Sequence, residues 1–353
     1  MRINTINKAS ETPAHLQIRD SLLGEIRTMS PGTRIPGEPE LATMFRVSRM
    51  TVNRAVLSLV RDGVLVREKG RGTFVAVPDV RVRQVLVALR VQVEPALEDY
   101  YLGALYWRIQ STLAARKVAV VPIDLATLIQ EPVRCDGVIA ISPDRDPLCK
   151  LVRAVGPEIP VVALGSSWAD TGAVCIDSNN VLGAALAVDH LVAAGHARIA
   201  FLGALPNDSN TQDRVRGFRD SAARHELPRI DESVWLTRSA LSFDAEFEDR
   251  FFGFVEREEI SAVFVGGAHL ALRLVMAAQR RGIALPHQLS IVGYDDPMFM
   301  SIAHPGITTV RQPLDTMAMS ACEVIMGGEV ERNRMQVLDP ILLTRQSVAP
   351  RLG

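Results

Sequence analysis

Arg49 and Asn53 stand four residues apart in the run Ser48-Arg49-Met50-Thr51-Val52-Asn53, so on a helix they share one face. An arginine fork pairs bidentately with guanine, and an asparagine amide with adenine, in the major groove of DNA. Further along, Glu68-Lys69-Gly70-Arg71-Gly72 places two cations on a glycine-rich tip. Such a tip can approach phosphates or a minor groove closely, because it lacks side-chain bulk. Singly, each feature is ordinary. Scattered arginines on a helix are usually a solvated face, Thr51 suits any helix surface, and Gly-Arg-Gly suits any hairpin.

The elements that must position these residues are legible. Ile18, Leu22, Ile26 and Met29 form one apolar stripe, predicting a helix over 13–29 that Pro31-Gly32 ends. Pro36-Gly37-Glu38 opens a short second helix, buried through Leu41, Ala42 and Phe45, with Glu40 in its first turn near the positive end of the dipole. After a turn at Arg46-Val47, Ser48 is the N-cap of a third helix. Val52, Ala55, Val56, Leu59 and Val60 give that helix a dense apolar face, and Asp62-Gly63 stops it. Two β-rich runs, 64–67 and 73–77, flank the basic tip. Three helices and a hairpin make a winged helix-turn-helix layout, whose third helix enters the major groove.

Three segments in order carry a resemblance: Pro-Gly-Glu-Pro-Glu-Leu-Ala at 36–42, Val-Ser-Arg-Met-Thr-Val-Asn-Arg-Ala at 47–55, and Gly-Arg-Gly-Thr-Phe-Val at 70–75. Residues 12–77 resemble the DNA-binding head of GntR-type transcription regulators. The resemblance implies DNA contacts from Arg49, Thr51 and Gly70, and a phosphate contact from Ser48. Asn53 and Pro39 stand where many members of that family have arginine, which points to an altered operator sequence. Glu38 is expected to orient the head internally. The candidate DNA-binding set is therefore Ser48, Arg49, Thr51, Asn53, Lys69, Gly70 and Arg71.

Residues 78–84 read as a polar linker, and from 85 the pattern changes. Apolar runs at 85–89, 118–122, 137–141, 161–164, 173–176, 199–202, 262–265 and 289–293 predict strands buried on both faces. Amphipathic stretches at 101–116, 181–194, 212–225, 270–281 and 314–326 predict helices between many of them. So long an alternation predicts two α/β lobes with mostly parallel sheets and a cleft between them. Ligands of such sheets bind beyond the carboxyl ends of the strands.

Residues 85–350 are similar to the effector domain of LacI/GalR-type repressors, which itself looks like the periplasmic sugar-binding proteins. The segments that carry this are Ile-Pro-Val-Val at 159–162, Asp189-His190-Leu191 with Ala194-Gly195-His196, Arg-Val-Arg-Gly-Phe at 214–218, Ser-Ile-Val-Gly-Tyr-Asp-Asp at 290–296, and Ile-Thr-Thr-Val-Arg-Gln-Pro at 307–313. The resemblance implies that Arg214 and Asp295 hold sugar hydroxyls, a role suited to a donor fork beside a carboxylate. Trp168, Phe243 and Tyr100 are candidates to stack on the ring. Asp296, His190 and His196 read as structural. The chain departs from that family after Val265, where Gly266-Gly267-Ala268-His269 replaces a sugar-binding Asn and a helix-capping Asp. Gly165-Ser166 also replaces an expected Asp. His269 can substitute as a polar contact.

Composition sets the function classes. The 353 residues have a formal net charge of −1, yet residues 1–77 carry 12 Lys+Arg against 7 Asp+Glu, while the remainder carries 27 against 33. A basic head on an acidic body points to a nucleic-acid partner for the head alone. Four dispersed cysteines without a CxxC pair read as reduced thiols, and no histidine spacing suits a metal. No secretory signal or membrane-spanning run is evident, so a cytoplasmic protein is expected. No cofactor is expected. The preferred reading is a homodimeric, sequence-specific repressor of 1–77 (winged head), 78–84 (linker) and 85–353 (effector and dimerisation domain), released or engaged at its operator by a sugar or related metabolite. A regulator or architectural protein that has lost ligand sensing is the alternative. An enzyme fused to the head lacks any nucleophile or phosphate-loop motif, and a stand-alone solute-binding protein is opposed by the head.

Overall fold

The computed structural model describes residues 12–351 except 27, 31, 63, 69, 76–82, 91–98, 169, 239–242 and 328–332. The chain folds as two units, Met1–Arg81 and Val82–Gly353. Of the expected linker, 78–82 lies outside the described residues, and Gln84 already belongs to a strand.

The head packs three helices, α1 (Ala14–Ile26), α2 (Glu38–Phe45) and α3 (Arg49–Arg61), against a hairpin of β1 (Leu65–Glu68) and β2 (Gly72–Val75). Ile18, Leu22, Ile26, Leu41, Phe45, Val52, Ala55, Val56 and Leu59 are all buried in one core, as their spacing requires. Gly37 caps α2, and the Glu40 carboxylate accepts from its backbone N–H at 3.2 Å. The hairpin has a third member that the sequence reading missed. Ile35 N–H donates to Thr73 O (3.0 Å) and Val75 N–H donates to Thr33 O (2.8 Å). A run so short, flanked by turn residues, carries no alternating pattern to detect. The expected cap Gly63 and the breaker Pro31 lie outside the described residues.

The body has two six-stranded sheets. The first has the order β13-β7-β6-β5-β3-β4, with β3 (Gln84–Leu89), β4 (Ala119–Asp124), β5 (Gly137–Ile141), β6 (Val161–Leu164), β7 (Val174–Ser178) and β13 (Met335–Leu338), all parallel. The second has the order β14-β12-β11-β10-β8-β9, with β8 (Ile199–Ala204), β9 (Val234–Thr237), β10 (Ala262–Val265), β11 (Ser290–Tyr294), β12 (Thr308–Arg311) and β14 (Ile341–Leu343). Only β14 runs antiparallel, against β12. The helices are α4 (Tyr100–Ala114), α5 (Leu125–Gln130), α6 (Arg145–Val155), α7 (Asn180–Ala193), α8 (Ser209–Arg224), α9 (Ala245–Arg257), α10 (Ala268–Arg280), α11 (Met298–Ile302) and α12 (Leu314–Gly327).

The expected layout of two α/β lobes with mostly parallel sheets is the one found. The central strands β5, β6, β10 and β11 are buried along their whole length, which is why they read as unbroken apolar runs. The strands β9, β12, β13 and β14 and the helices α5, α6, α9 and α11 were not anticipated. β13 alternates exposed and half-buried residues at a sheet edge, so it lacks the apolar signal of its neighbours. The chain passes between lobes three times, after β7, after β12 and after β13. At these crossings Asn179 N–H donates to Leu338 O (2.7 Å), and its side chain donates to Asp339 (2.9 Å), tying two crossing segments together.

Candidate functional site

The head presents the residues read for DNA on one end of α3 and on the hairpin. The Ser48 hydroxyl accepts from Thr51 N–H at 3.2 Å and lies 2.8 Å from the Thr51 hydroxyl, so the cap fixes the first turn that carries Arg49. Arg49 is exposed. Asn53 is half-buried, and its amide donates to Glu38 Oε1 at 2.9 Å. Arg67, on β1, donates to the same carboxylate oxygen. Glu38 therefore orients the head internally, as expected, and Asn53 is engaged by it. Gly70 has φ +77° at the hairpin tip, a left-handed conformation that favours glycine, with open space around it. Arg71 is mostly exposed and pairs with Glu68 at 2.6 Å. Lys69 lies outside the described residues.

In the body the strand ends build the second site. Arg90, Ser142, Gly266, Asp295 and Gln312 each follow directly on a strand's carboxyl end, and all but Gly266 bring a polar side chain. These five line one cleft of about 400 Å3 between the lobes. Helix starts complete it: Asp99 and Tyr100 at α4, Asp208 and Asn210 at α8, and Gly267 to Leu270 at α10. Asp208 and Asp99 are N-caps, each accepting a backbone N–H with its carboxylate.

Arg214 is the centre of the cleft floor and only 7% exposed. Its Nε donates to Asn180 Oδ1 (2.9 Å) and Nη1 to Gly266 O (2.7 Å). Asn180 in turn donates to Asn210 (3.1 Å), to Ser178 O (3.0 Å) and to Asp177 (3.3 Å). Burial pushes the Asp177 carboxyl up to about 8, against the pull of the Ser178 N–H and Arg214. Burial also raises Asp295, whose Oδ1 accepts from Gln312 Nε2 at 2.6 Å while Arg214 favours its charge. Nη2 of Arg214 and Oδ2 of Asp295 make no hydrogen bond among the described residues. Across the cleft mouth, Arg90 pairs with Asp208 at 3.2 Å. His269 Nδ1 stands 3.6 Å from Asp99, too long for a hydrogen bond. This arrangement offers donors and acceptors at fixed angles, which suits a polyhydroxylated molecule.

Four of the six residues read for effector binding, Arg214, Asp295, Tyr100 and His269, come together in the cleft. Trp168 and Phe243 lie apart from it. The Trp168 indole donates to Pro143 O (2.9 Å) and packs on the core of the first lobe. Phe243 is buried against Phe247 and Phe251 in the second lobe. Isolated aromatics are core residues more often than ring-stacking ones. Arg90, Asp99, Asp208, Asn210 and Gln312 were missed. For Arg90 and Gln312 a signal existed, since Arg90 directly follows the apolar run 85–89 and Gln312 lies within the matched segment 307–313, and strand-end residues face ligands. Tyr101 was missed as well. Its hydroxyl lies over Gly165, where any Cβ would fall 2.1 Å from it.

Residues 15–75 match the model of bacterial regulatory proteins of the gntR family, and residues 188–348 match a periplasmic binding protein-like domain. The arabinose metabolism transcriptional repressor of Geobacillus stearothermophilus is 26% identical, over 96% of this chain and 99% of that protein. The transcriptional regulator CelR in complex with cellobiose superposes with a TM-score of 0.67 at 19% identity, over 89% of this chain and 100% of that one. The lac repressor dimer bound to operator and an anti-inducer superposes with a TM-score of 0.63 at 21% identity, over 75% of this chain and 94% of that one. The chain thus carries a match to the gntR family in its head and a match to a periplasmic binding protein-like domain in its body.

Proposed function

We propose that this protein is a transcriptional repressor that binds a two-fold operator as a homodimer and is controlled by a sugar or related polyol held between its lobes. The observation that carries this is the state of Arg214 and Asp295. Both are buried at the cleft floor, each fixed by protein hydrogen bonds, and each keeps one polar atom for a ligand. These two atoms are free to exchange water for ligand hydroxyls, in charge-assisted hydrogen bonds. Ligand in the cleft shifts the balance of lobe arrangements, and the shift is reciprocal with operator affinity.

Arg49, Thr51, Asn53 and Gly70 read and place the operator in this scheme, with Ser48 on a phosphate and Lys69 and Arg71 adding wing charge. The assignment is supported by the exposure of Arg49 and the capped turn beneath it. Arg214, Asp295, Tyr100 and His269 hold the effector. The likeness to the arabinose metabolism transcriptional repressor supports a regulatory rather than catalytic role. Among the described residues no helix is long and apolar enough to cross a membrane.

The test has two arms. Footprinting on DNA flanking the gene should give protection over a near-palindrome, weakened about tenfold to a hundredfold by Arg49→Ala, the equivalent of about 1–3 kcal/mol per bidentate base contact. Undiminished protection with Arg49→Ala would sink the recognition-helix assignment. A melting-temperature screen with sugars should show stabilisation that Arg214→Ala removes. A footprint unaffected by every saccharide would favour a regulator without a ligand.

A further inference from the structure

The wall where α10 meets the cleft carries almost no side chain, being Gly266, Gly267 and Ala268. The two glycines differ in cause. A Cβ on Gly266 would come 2.9 Å from Cζ of Phe201, so packing excludes one. Gly267 has no such constraint. Its φ of 173° is extended backbone open to any residue, and a Cβ there would meet nothing within 4 Å. It is also the N-cap of α10, where no side chain caps the helix. Ser, Thr, Asp or Asn would serve the helix at least as well there. The fold gains nothing from glycine at 267, and the open space it leaves lies inside the cleft.

The groups around that space suit hydroxyls better than an anion. Three carboxylates, of Asp99, Asp208 and Asp295, face two guanidinium groups, of Arg90 and Arg214. Gln312, 4% exposed on the same cleft, has its Oε1 buried without a partner among the described residues. Resting on the repressor reading above, we propose that Gly267 determines specificity: the space beside it is a second subsite, and the effector is a saccharide of more than one ring. One ring is held by Arg214 and Asp295, and the next lies over Gly267 against the first turn of α10. The cleft, about 400 Å3, falls within the general range of small-molecule pockets.

The experiment measures melting temperature of the full chain with L-arabinose, D-ribose, D-glucose and D-galactose, and with cellobiose, maltose, lactose and sucrose. It compares the unaltered protein with Gly267→Ala and Gly267→Asn. At least one disaccharide should stabilise the protein more than any monosaccharide does. Gly267→Asn should raise its half-saturating concentration at least tenfold, with Gly267→Ala between. The unliganded melting temperature of each variant reports whether it folds, and the alanine variant, whose methyl meets open space, keeps the test available. Stabilisation by monosaccharides alone, or a disaccharide response indifferent to Gly267→Asn, overturns the second subsite and leaves the sugar-controlled repressor standing. No stabilisation by any of the eight overturns both.

Discussion

The guanidinium carbon of Arg214 lies 3.8 Å from the centre of the Tyr294 ring, and both side chains are buried. Tyr294 thus forms the platform that holds the arginine fork level with the cleft. Its own hydroxyl is pushed up to about 12, chiefly by burial, so the ring stays neutral beneath the cation. The hydroxyl end packs against Gly183 of α7, where a Cβ would fall 2.5 Å away. One glycine, one ring and one arginine therefore form a column from helix to cleft.

Removing the cation from this column should be costly. Arg214→Ala takes the nearby cation from Asp295 and leaves Asn180 Oδ1 and Gly266 O without their donor, and each buried acceptor so stranded costs about 1–3 kcal/mol. Tyr294→Leu removes a desolvated cation–π contact worth about 2 kcal/mol. Calorimetric titration with the stabilising saccharide should show affinity falling roughly tenfold or more in Tyr294→Leu. Unchanged affinity would mean that the ring does not position the fork.

Asp177 predicts a pH dependence with a definite sign. Its carboxyl is raised from 3.8 to about 8, so between those values the folded state holds a proton that the unfolded state has lost. The contribution of Asp177 to stability therefore falls as pH rises from about 4 to about 8, and is flat outside that window. Urea denaturation across pH should show Asp177→Asn lacking this decline. A wild-type curve and a variant curve that run parallel from pH 4 to 8 would refute it.

Glu38 links α3 to the hairpin through Asn53 and Arg67. Arg67 is 41% and Glu38 29% exposed, so Glu38→Ala should cost the head less than about 1 kcal/mol. Its larger effect should be on selectivity, because both partners are then free to re-aim. Competition binding with half-sites altered one base at a time should show a changed preference at one position. An identical preference profile would remove Asn53 from the base-reading set.

Ser48 separates two roles. As N-cap of α3 its replacement by alanine should cost about 1 kcal/mol. Ser48→Asp keeps a capping oxygen and adds a negative charge, so folding should hold while operator binding weakens if the residue faces a phosphate. Parallel circular-dichroism melts and footprints distinguish the two. Equal operator affinity for Ser48→Asp and the unaltered protein would leave Ser48 a cap alone.

Legibility followed burial. Stripes such as Ile18, Leu22 and Ile26, and runs such as 137–141 and 262–265, face apolar surroundings over their full length, and their spacing announces it. β13 and β14, at sheet edges and half exposed, carry no comparable pattern. The cleft was half legible. Arg214 and Asp295 sit in matched segments, whereas Asp99 and Asp208 look like any helix cap until the lobes bring them to face His269 and Arg90. Trp168 and Phe243 show the reverse, since an aromatic residue's type is the same in a core as beside a ring.

By itself, the sequence determined the two modules, the order of the head's elements, the sign of charge on each part and a set of candidate residues for DNA and for a polyol. These follow from local spacing, and local spacing is written along the chain. Only the tertiary structure decided which polar groups meet. The passage after β7 brings Arg90 to Asp208, over 118 positions, and packing within the second lobe brings Arg214 to Gly266, over 52 positions. It also showed that packing against Phe201 demands the first glycine at the α10 wall and that nothing in the fold demands the second. Contact between residues far apart in the chain depends on how whole sheets and helices close on one another, and no periodicity along the chain records that.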